Sequence, residues 1–141
     1  MNVLVDTSIW SLAFRRKKIA NEQLESPVLR ELKELINEAR AIIIGPIRQE
    51  ILSGIANPTQ FELLKAKLKA FDDFPISSSD YEVAAEFYNN CRKKGIQGSH
   101  IDFLICAVAS ENNMTIFSED KDFYHYSKFL EITLHPPRHF D

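Results

Sequence analysis

Short apolar runs alternate with amphipathic segments along the 141 residues of the chain. The runs Asn2–Val5, Ala41–Gly45 and Met114–Phe117 are apolar and rich in β-branched residues, as buried strands of parallel sheets are. Phe74–Ile76 and Leu130–Leu134 predict two further short strands. Apolar residues recur with a period near 3.6 between these runs, which indicates helices. The alternation predicts a three-layer α/β/α fold with a mainly parallel central sheet.

Several of the predicted helices begin at hydroxyl or proline signals, and glycine or asparagine ends some of them. The predicted helices cover Thr7–Phe14, a segment starting at Ser26-Pro27, Pro46–Ile55, Thr59–Phe71, a segment capped by Ser79 or Asp80 that ends at Lys94, and Ser99–Glu111. Asp122–Lys128 is predicted as a short helix or turn. The residues after Leu134 predict a loosely held tail. Since the sequence contains no repeat and no linker, we expect a single domain over residues 1–141.

Composition narrows the function classes. The formal net charge of −3 argues against a protein that coats nucleic acid through bulk electrostatics, but it allows an acidic pocket with a basic rim. No apolar run reaches the roughly 20 residues that a membrane-spanning helix needs. We expect no signal peptide and a cytoplasmic protein. Cys91 and Cys106 lack CxxC spacing and are interpreted as reduced core residues.

Four acidic residues stand where predicted strands and helices meet. Asp6 and Asp120 follow the first strand and the strand Met114–Phe117, whereas Glu50 and Asp102 lie near the starts of two helices. In a parallel sheet these positions fall on one edge, where ligands bind. Taken singly, each also has a structural interpretation, as a helix cap, a helix-start charge or an exposed residue.

Together the four carboxylates predict a pocket that holds a divalent cation. Carboxylates a few ångströms apart repel one another, and a cation relieves that repulsion. Oxygen ligands without cysteine or histidine favour Mg²⁺ or Mn²⁺. His135 and His139 have no partner at ligand spacing, and His100 is interpreted as a helix-start residue or a support of the pocket.

Four segments in this order carry a family resemblance: Val5–Ser8, Arg48–Gly54, Ile101–Ala107 and Phe117–Phe123. They resemble the PIN-domain ribonucleases and, within them, the VapC-type toxins of bacterial and archaeal toxin–antitoxin pairs. The resemblance implies that one or two Mg²⁺ or Mn²⁺ ions are bound among Asp6, Glu50, Asp102 and Asp120. It also implies supporting roles for Thr7, Ser8, Ser118 and Asp122, with Asp122 the less certain acidic residue of its segment.

The resemblance further implies an endoribonuclease that hydrolyses phosphodiester bonds in structured RNA, such as tRNA. The cation would activate the water, and Glu50 would either bind the cation or orient the water as a base. We expect phosphate contacts from Arg15, Arg16, Lys17 and Arg48. By similarity to the toxins, we also expect a homodimer and a cognate antitoxin.

Three alternatives follow from the same residues. The first alternative is a PIN nuclease that acts in RNA processing without an antitoxin. The second is a PIN domain that only binds its partner and has no nuclease activity. The third, a receiver-like Mg²⁺-binding signalling domain, would need paired acidic residues after the first strand. Here Asp6 is followed by Thr7 and Ser8, which disfavours that domain, and Ser8 also excludes the Asp-x-Asp pattern of acid phosphatases.

Overall fold

The computed structural model describes residues 1–15 and 26–139, without the side chain of Arg15. Its strands are β1 (Val3–Val5), β2 (Ala41–Ile42) and β3 (Thr115–Phe117). Its helices are α1 (Thr7–Arg15), α2 (Pro27–Asn37), α3 (Gly45–Leu52), α4 (Pro58–Leu68), α5 (Ser78–Lys93), α6 (His100–Glu111) and α7 (Asp122–Tyr126). None of these helices is long and apolar enough to cross a membrane.

The central sheet is parallel and has the order β2-β1-β3. Val3 pairs with Ala41 on one side and Thr115 on the other, so β1 is the middle strand. The three side chains of β1 are fully buried, as expected for a strand covered on both faces. The α/β fold class predicted from the sequence is therefore confirmed.

The two outer strands predicted from the sequence are present only as single parallel bridges, Ile43 with Asp73 and Ile116 with Leu134. Each bridge is soon followed by proline, Pro75 or Pro136, which has no N–H to donate to a ladder. The chain therefore touches the edges of the sheet at these two places without extending it.

Helices cover the sheet in two groups. In the first group, α1 contacts α2 and α3, and α3 contacts α4. In the second group, α5 packs against α6, and α6 also contacts β1 and β3. Helix α6 is buried from Phe103 to Ala109, so only its two ends are polar, and Asp102 lies at the N-terminal one. Trp10 of α1 is also fully buried and donates its indole N–H to the carbonyl of Val5 at 3.0 Å.

Helix ends follow the chemistry of their capping residues. Ser26 accepts a hydrogen bond from the N–H of Leu29, as predicted for the start of α2. The cap of α5 is Ser77, and neither Ser79 nor Asp80 as predicted; Asp80 closes the capping box from the third helical position. Gly95 ends α5 with φ of 76°, a conformation that glycine adopts without strain.

The segment after Leu134 is firmly anchored, which contradicts the prediction of a loose tail. The backbone N–H of Arg138 donates to the fully buried carboxylate of Glu31 in α2 at 2.7 Å. The Arg138 guanidinium also contacts Glu31 at 2.8 Å and forms two hydrogen bonds with Glu38, at 2.8 and 3.2 Å. We call residues 135–139, held in this way across α2, the C-terminal strap.

Candidate metal centre

The carboxylate of Asp6 lies at the C-terminal end of the middle strand and is almost fully buried. Its Oδ2 accepts hydrogen bonds from the hydroxyls of Ser8 and Ser118, both at 2.8 Å. The N–H of Ser8 contributes a third, longer bond at 3.3 Å. A buried carboxylate must be hydrogen-bonded to offset the loss of water, and the two serines meet that requirement.

The same two hydroxyls also organise the loop that follows β3. Ser8 accepts a hydrogen bond from the N–H of Glu119 at 3.0 Å, and Ser118 accepts one from the N–H of Asp120 at 2.9 Å. Each serine therefore donates to Asp6 and accepts from this loop. The orientation of Asp6 and the position of Asp120 are linked through them.

Asp102 lies in the first turn of α6 and is half-buried. Its N–H donates to the hydroxyl of Ser99, the helix cap, at 3.1 Å. Its carboxylate, however, accepts a hydrogen bond from the hydroxyl of Tyr126 at 2.9 Å. Burial raises the pKa of Asp102, and the charges of Asp6 and Asp120 raise it further, although the bonds from Tyr126 and Ser99 oppose that rise.

Asp102, Asp120 and Asp122 form the closest group of carboxylates in the described part of the chain. One oxygen from each lies within 4.8 Å of the others. Oxygens on opposite sides of a cation with ligands at about 2.0–2.6 Å are about 4–5 Å apart. The donor set consists of hard oxygens, so the residues present fit Mg²⁺ or Mn²⁺.

Asp122 thus lies closer to the centre of the site than its sequence position suggested. Its N–H donates to Oδ1 of Asp120 at 2.9 Å, a local turn that brings the two carboxylates together. The spacing of two residues between aspartates, just after a strand, is the sequence signal for this arrangement.

The other two predicted ligands have different surroundings. Asp6 lies close enough to Asp102 for its negative charge to raise the pKa of the Asp102 carboxyl. Glu50, on α3, is exposed. Among described residues, neither belongs to the group of three with oxygens within 4.8 Å.

The residues predicted to support the site differ in their hydrogen bonds. Ser8 and Ser118 bond to Asp6, but the hydroxyl of Thr7 is buried without a hydrogen-bond partner in the described residues. A buried hydroxyl without a partner is uncommon. The structure therefore gives Thr7 no contact through which it would orient Asp6.

Arg48 is engaged inside the fold. Its guanidinium donates to Asp73 and to the carbonyl of Leu68, both at 2.9 Å, and to the carbonyl of Phe71. These contacts tie α3, which carries Glu50, to the end of α4. They favour a structural role for Arg48 over contact with phosphate. Arg16 and Lys17 lie outside the described residues, as does the side chain of Arg15.

Sequence reasoning missed Tyr126 as a neighbour of the acidic group. Tyr126 is one helical turn after Asp122 but 24 residues from Asp102, so no local pattern indicates their hydrogen bond. Cys106, one turn after Asp102, is a buried free thiol whose pKa is raised by burial and by the charge of Asp102. This agrees with its prediction as a reduced core residue.

Comparisons with known proteins identify the family and the fold. The PIN domain family matches residues 3–129. Among solved structures, FitAcB from Neisseria gonorrhoeae has a TM-score of 0.74 at 19% identity, with 98% of this chain and 99% of that chain covered. VapBC2 from Rickettsia felis, bound to a DNA fragment from its promoter, has a TM-score of 0.69 at 17% identity, with 96% and 98% covered.

A third structure, VapBC-5 from Mycobacterium tuberculosis, is described as a member of a family of toxin–antitoxin systems. It has a TM-score of 0.63 at 16% identity and covers 96% of this chain and 100% of that chain. At such identities these likenesses show the fold alone. A search of curated proteins gave no significant match. The family match over most of the chain is decisive: the chain belongs to the PIN domain family, which indicates a nuclease.

Proposed function

We propose that this protein is a Mg²⁺- or Mn²⁺-dependent endoribonuclease and the toxin of a VapBC-type toxin–antitoxin pair. The observation that carries the nuclease proposal is the group Asp102, Asp120 and Asp122, whose carboxylate oxygens lie within 4.8 Å of one another. The group occurs in a PIN-family chain, at the sheet edge where α/β folds bind ligands.

The aspartates provide a site of concentrated negative charge. Asp102, Asp120 and Asp122 would hold the cation, and Asp6 adds its charge from below, fixed by Ser8 and Ser118. When bound, the cation supplies a Lewis acid that polarises the phosphate and lowers the pKa of water. The four aspartates would then hold the cation, and the remaining residues would orient the substrate and act on the attacking water.

Glu50 has the accessibility that a group acting on the attacking water requires. It is exposed and lies outside the closest group of described carboxylates. In the proposed reaction the carboxylate of Glu50 would accept a proton from the attacking water. We therefore favour the base over the ligand, the two roles that the sequence left open for Glu50.

RNA phosphates need positive charge beside this acidic site. Since the Arg48 guanidinium is already bonded within the fold, the proposed phosphate contacts come from Arg15, Arg16 and Lys17. Arg15 is the last residue of α1, the helix that starts beside Asp6, and Arg16 and Lys17 follow it in the sequence. Such contacts would set affinity and register, and they would weaken with salt.

The nuclease proposal is tested with purified protein and a structured RNA such as tRNA. Cleavage is expected with Mg²⁺ or Mn²⁺, none with EDTA, and almost none for Asp102→Asn. Glu111→Gln is the matched control, since Glu111 is an exposed acid at the opposite end of α6. Equal cleavage by wild type and Asp102→Asn would refute the proposed centre.

The toxin proposal is supported by likeness in fold to FitAcB and to the VapBC structures. It includes a cognate antitoxin, a homodimer, and action on RNA in the cytoplasm. Induced expression is expected to arrest growth, and co-expression of a small protein encoded beside the gene is expected to restore it. Cleavage without growth arrest, and without such a neighbouring gene, would instead support a PIN nuclease of RNA processing.

A further inference from the structure

Tyr126 connects α7, which carries Asp122, with Asp102 of α6 through a hydrogen bond. Its side chain is buried, with its ring against Phe103 and Phe123 at centroid distances of 5.0 and 5.5 Å. The hydroxyl emerges from this packing and donates to Oδ2 of Asp102 at 2.9 Å. Because the ring is enclosed, the hydroxyl is held in one place.

Gly98 leaves the space that this hydroxyl occupies. A Cβ atom on residue 98 would lie 2.4 Å from the Tyr126 hydroxyl oxygen and 2.9 Å from two ring atoms of Phe103. Both distances are well below van der Waals contact. A side chain at position 98 would therefore displace the tyrosine, so the close approach requires glycine.

The bond links the elements that supply the carboxylates. Helix α7 begins at Asp122 and ends at Tyr126, whereas Asp102 lies in the first turn of α6. One rigid helical turn thus carries one acidic side chain and the donor that orients another. A bond to one oxygen of Asp102 limits rotation of the whole carboxylate and leaves the other oxygen for a further ligand.

We propose that Tyr126 is a positioning residue of the metal centre, whose hydroxyl holds the Asp102 carboxylate in the orientation that converges with Asp120 and Asp122. The proposal rests on the cation site of the proposed function. Groups that orient metal ligands are worth roughly 10- to 100-fold in metal affinity when they are removed. Tyr126 does not itself contact the cation in this arrangement.

The test is a Mn²⁺ titration of metal-free protein followed by electron paramagnetic resonance, which reports bound and free ion without any substrate. Tyr126→Phe is expected to raise the Kd roughly 10-fold or more, with a melting temperature of the metal-free protein close to wild type. Tyr124→Phe is the matched control, because Tyr124 lies on the same helix but is 58% exposed. It should bind Mn²⁺ like wild type.

Kinetics separate positioning from a general structural effect. For Tyr126→Phe, kcat is expected to fall at limiting Mn²⁺ and to recover largely at saturating Mn²⁺, with an unchanged KM for RNA. Gly98→Ala, which displaces the hydroxyl without removing it, should weaken Mn²⁺ binding in the same direction. Wild-type Mn²⁺ affinity in Tyr126→Phe would overturn the proposal, as would a loss of affinity equal to that of Tyr124→Phe.

The outcomes also distinguish this proposal from the proposed function. If wild type binds Mn²⁺, Asp102→Asn does not, and no RNA is cleaved, the nuclease proposal fails while a weakened Tyr126→Phe still supports positioning. If RNA is cleaved and Tyr126→Phe binds Mn²⁺ normally, only the positioning role fails. If wild type binds no Mn²⁺, both proposals are overturned.

Discussion

Ser118 donates a hydrogen bond to Asp6 at 2.8 Å, although 112 residues separate the two along the chain. The hydroxyl of Ser8 donates to the same carboxylate oxygen, also at 2.8 Å. The two hydroxyl oxygens are themselves 3.4 Å apart. Asp6 is therefore held by two serines, Ser8 of α1 and Ser118 directly after β3, and each serine also accepts a hydrogen bond from the loop before α7.

Ser118→Ala is expected to lower the free energy of unfolding by roughly 1–2 kcal/mol, because it removes a partner of a buried carboxylate and an acceptor for the loop. Mn²⁺ affinity should fall as well. Urea unfolding and Mn²⁺ titration measure the two effects. Ser8→Ala should behave similarly, and the double variant should cost less than the sum of the two, since both serines bond the same oxygen. Strict additivity would show that they act independently.

Glu50→Gln and Asp122→Asn are expected to fail in different ways. Asp122 belongs to the closest carboxylate group, so Asp122→Asn should weaken Mn²⁺ binding strongly. Glu50 is exposed and outside that group of described residues, so Glu50→Gln should lower kcat with little change in Mn²⁺ affinity. Titration and single-turnover cleavage at saturating Mn²⁺ separate the effects. A large loss of affinity in Glu50→Gln would make Glu50 a ligand.

Asp102→Asn is expected to have opposite effects with and without metal. Without metal the neutral side chain should raise the melting temperature, because burial and the charges of Asp6 and Asp120 disfavour the carboxylate. With metal the wild type should gain stability by mass action, about 2.7 kcal/mol at a concentration 100 times Kd. The variant should gain almost nothing. Thermal melts with EDTA and with Mg²⁺ test both signs, and a less stable metal-free variant would contradict the first.

Arg138→Ala is expected to lower the melting temperature by removing the cation that pairs with the buried Glu31. A buried carboxylate left without its partner is costly, whereas removing both charges is tolerated better. Glu31→Leu combined with Arg138→Ala should therefore recover much of the loss. Glu38→Gln is the control, because it weakens only exposed ion pairs, those of Glu38 with Arg138 and Arg40. No recovery in the double variant would mean that strap packing, and not charge, matters.

Acidification should loosen the C-terminal strap through His135. Burial lowers the pKa of His135 below its usual 6.5. The carboxylate of Glu31 raises this pKa, and the positive charges of Arg40 and Arg138 lower it further. The unfolded chain then binds a proton more readily than the folded one. The stability contributed by the buried, neutral His135 is fully present above about pH 6.5, and it is lost as the pH falls through the lowered pKa of His135.

Urea unfolding over this pH range should show a smaller pH dependence of the free energy of unfolding in His135→Leu than in wild type. His125→Asn, at an exposed position on α7, should leave it unchanged.

Local patterns predicted most of the helices and the three strands of the central sheet. The run Asn2–Val5 and the proline after Ser26 carry their signals within a few residues, so β1 and the start of α2 lie where expected. The cap of α5 was misplaced because Ser77, Ser78 and Ser79 offer the same hydroxyl, and only the return bond from Asp80 selects the first.

Long-range contacts account for what the sequence did not predict. Glu31 and Arg138 are 107 residues apart, so a proline-rich end that reads as a tail is in fact anchored. Arg48 looked available for phosphate until its contacts with Asp73 and α4 were seen. Asp6 and Asp102 were placed by strand topology alone, but the partners that orient them, Ser118 and Tyr126, depend on packing.

The pairing of β1 with β3 has a consequence for when activity can arise during synthesis. Asp6 is made more than 100 residues before its β3 partner strand and Ser118. Asp120 and Asp122 follow later still. Because the carboxylates converge only once β3 docks on β1, a nascent or truncated chain lacking β3 cannot assemble the proposed centre. A cell that makes this protein would thus meet a competent nuclease only after β3 and the loop behind it have been made.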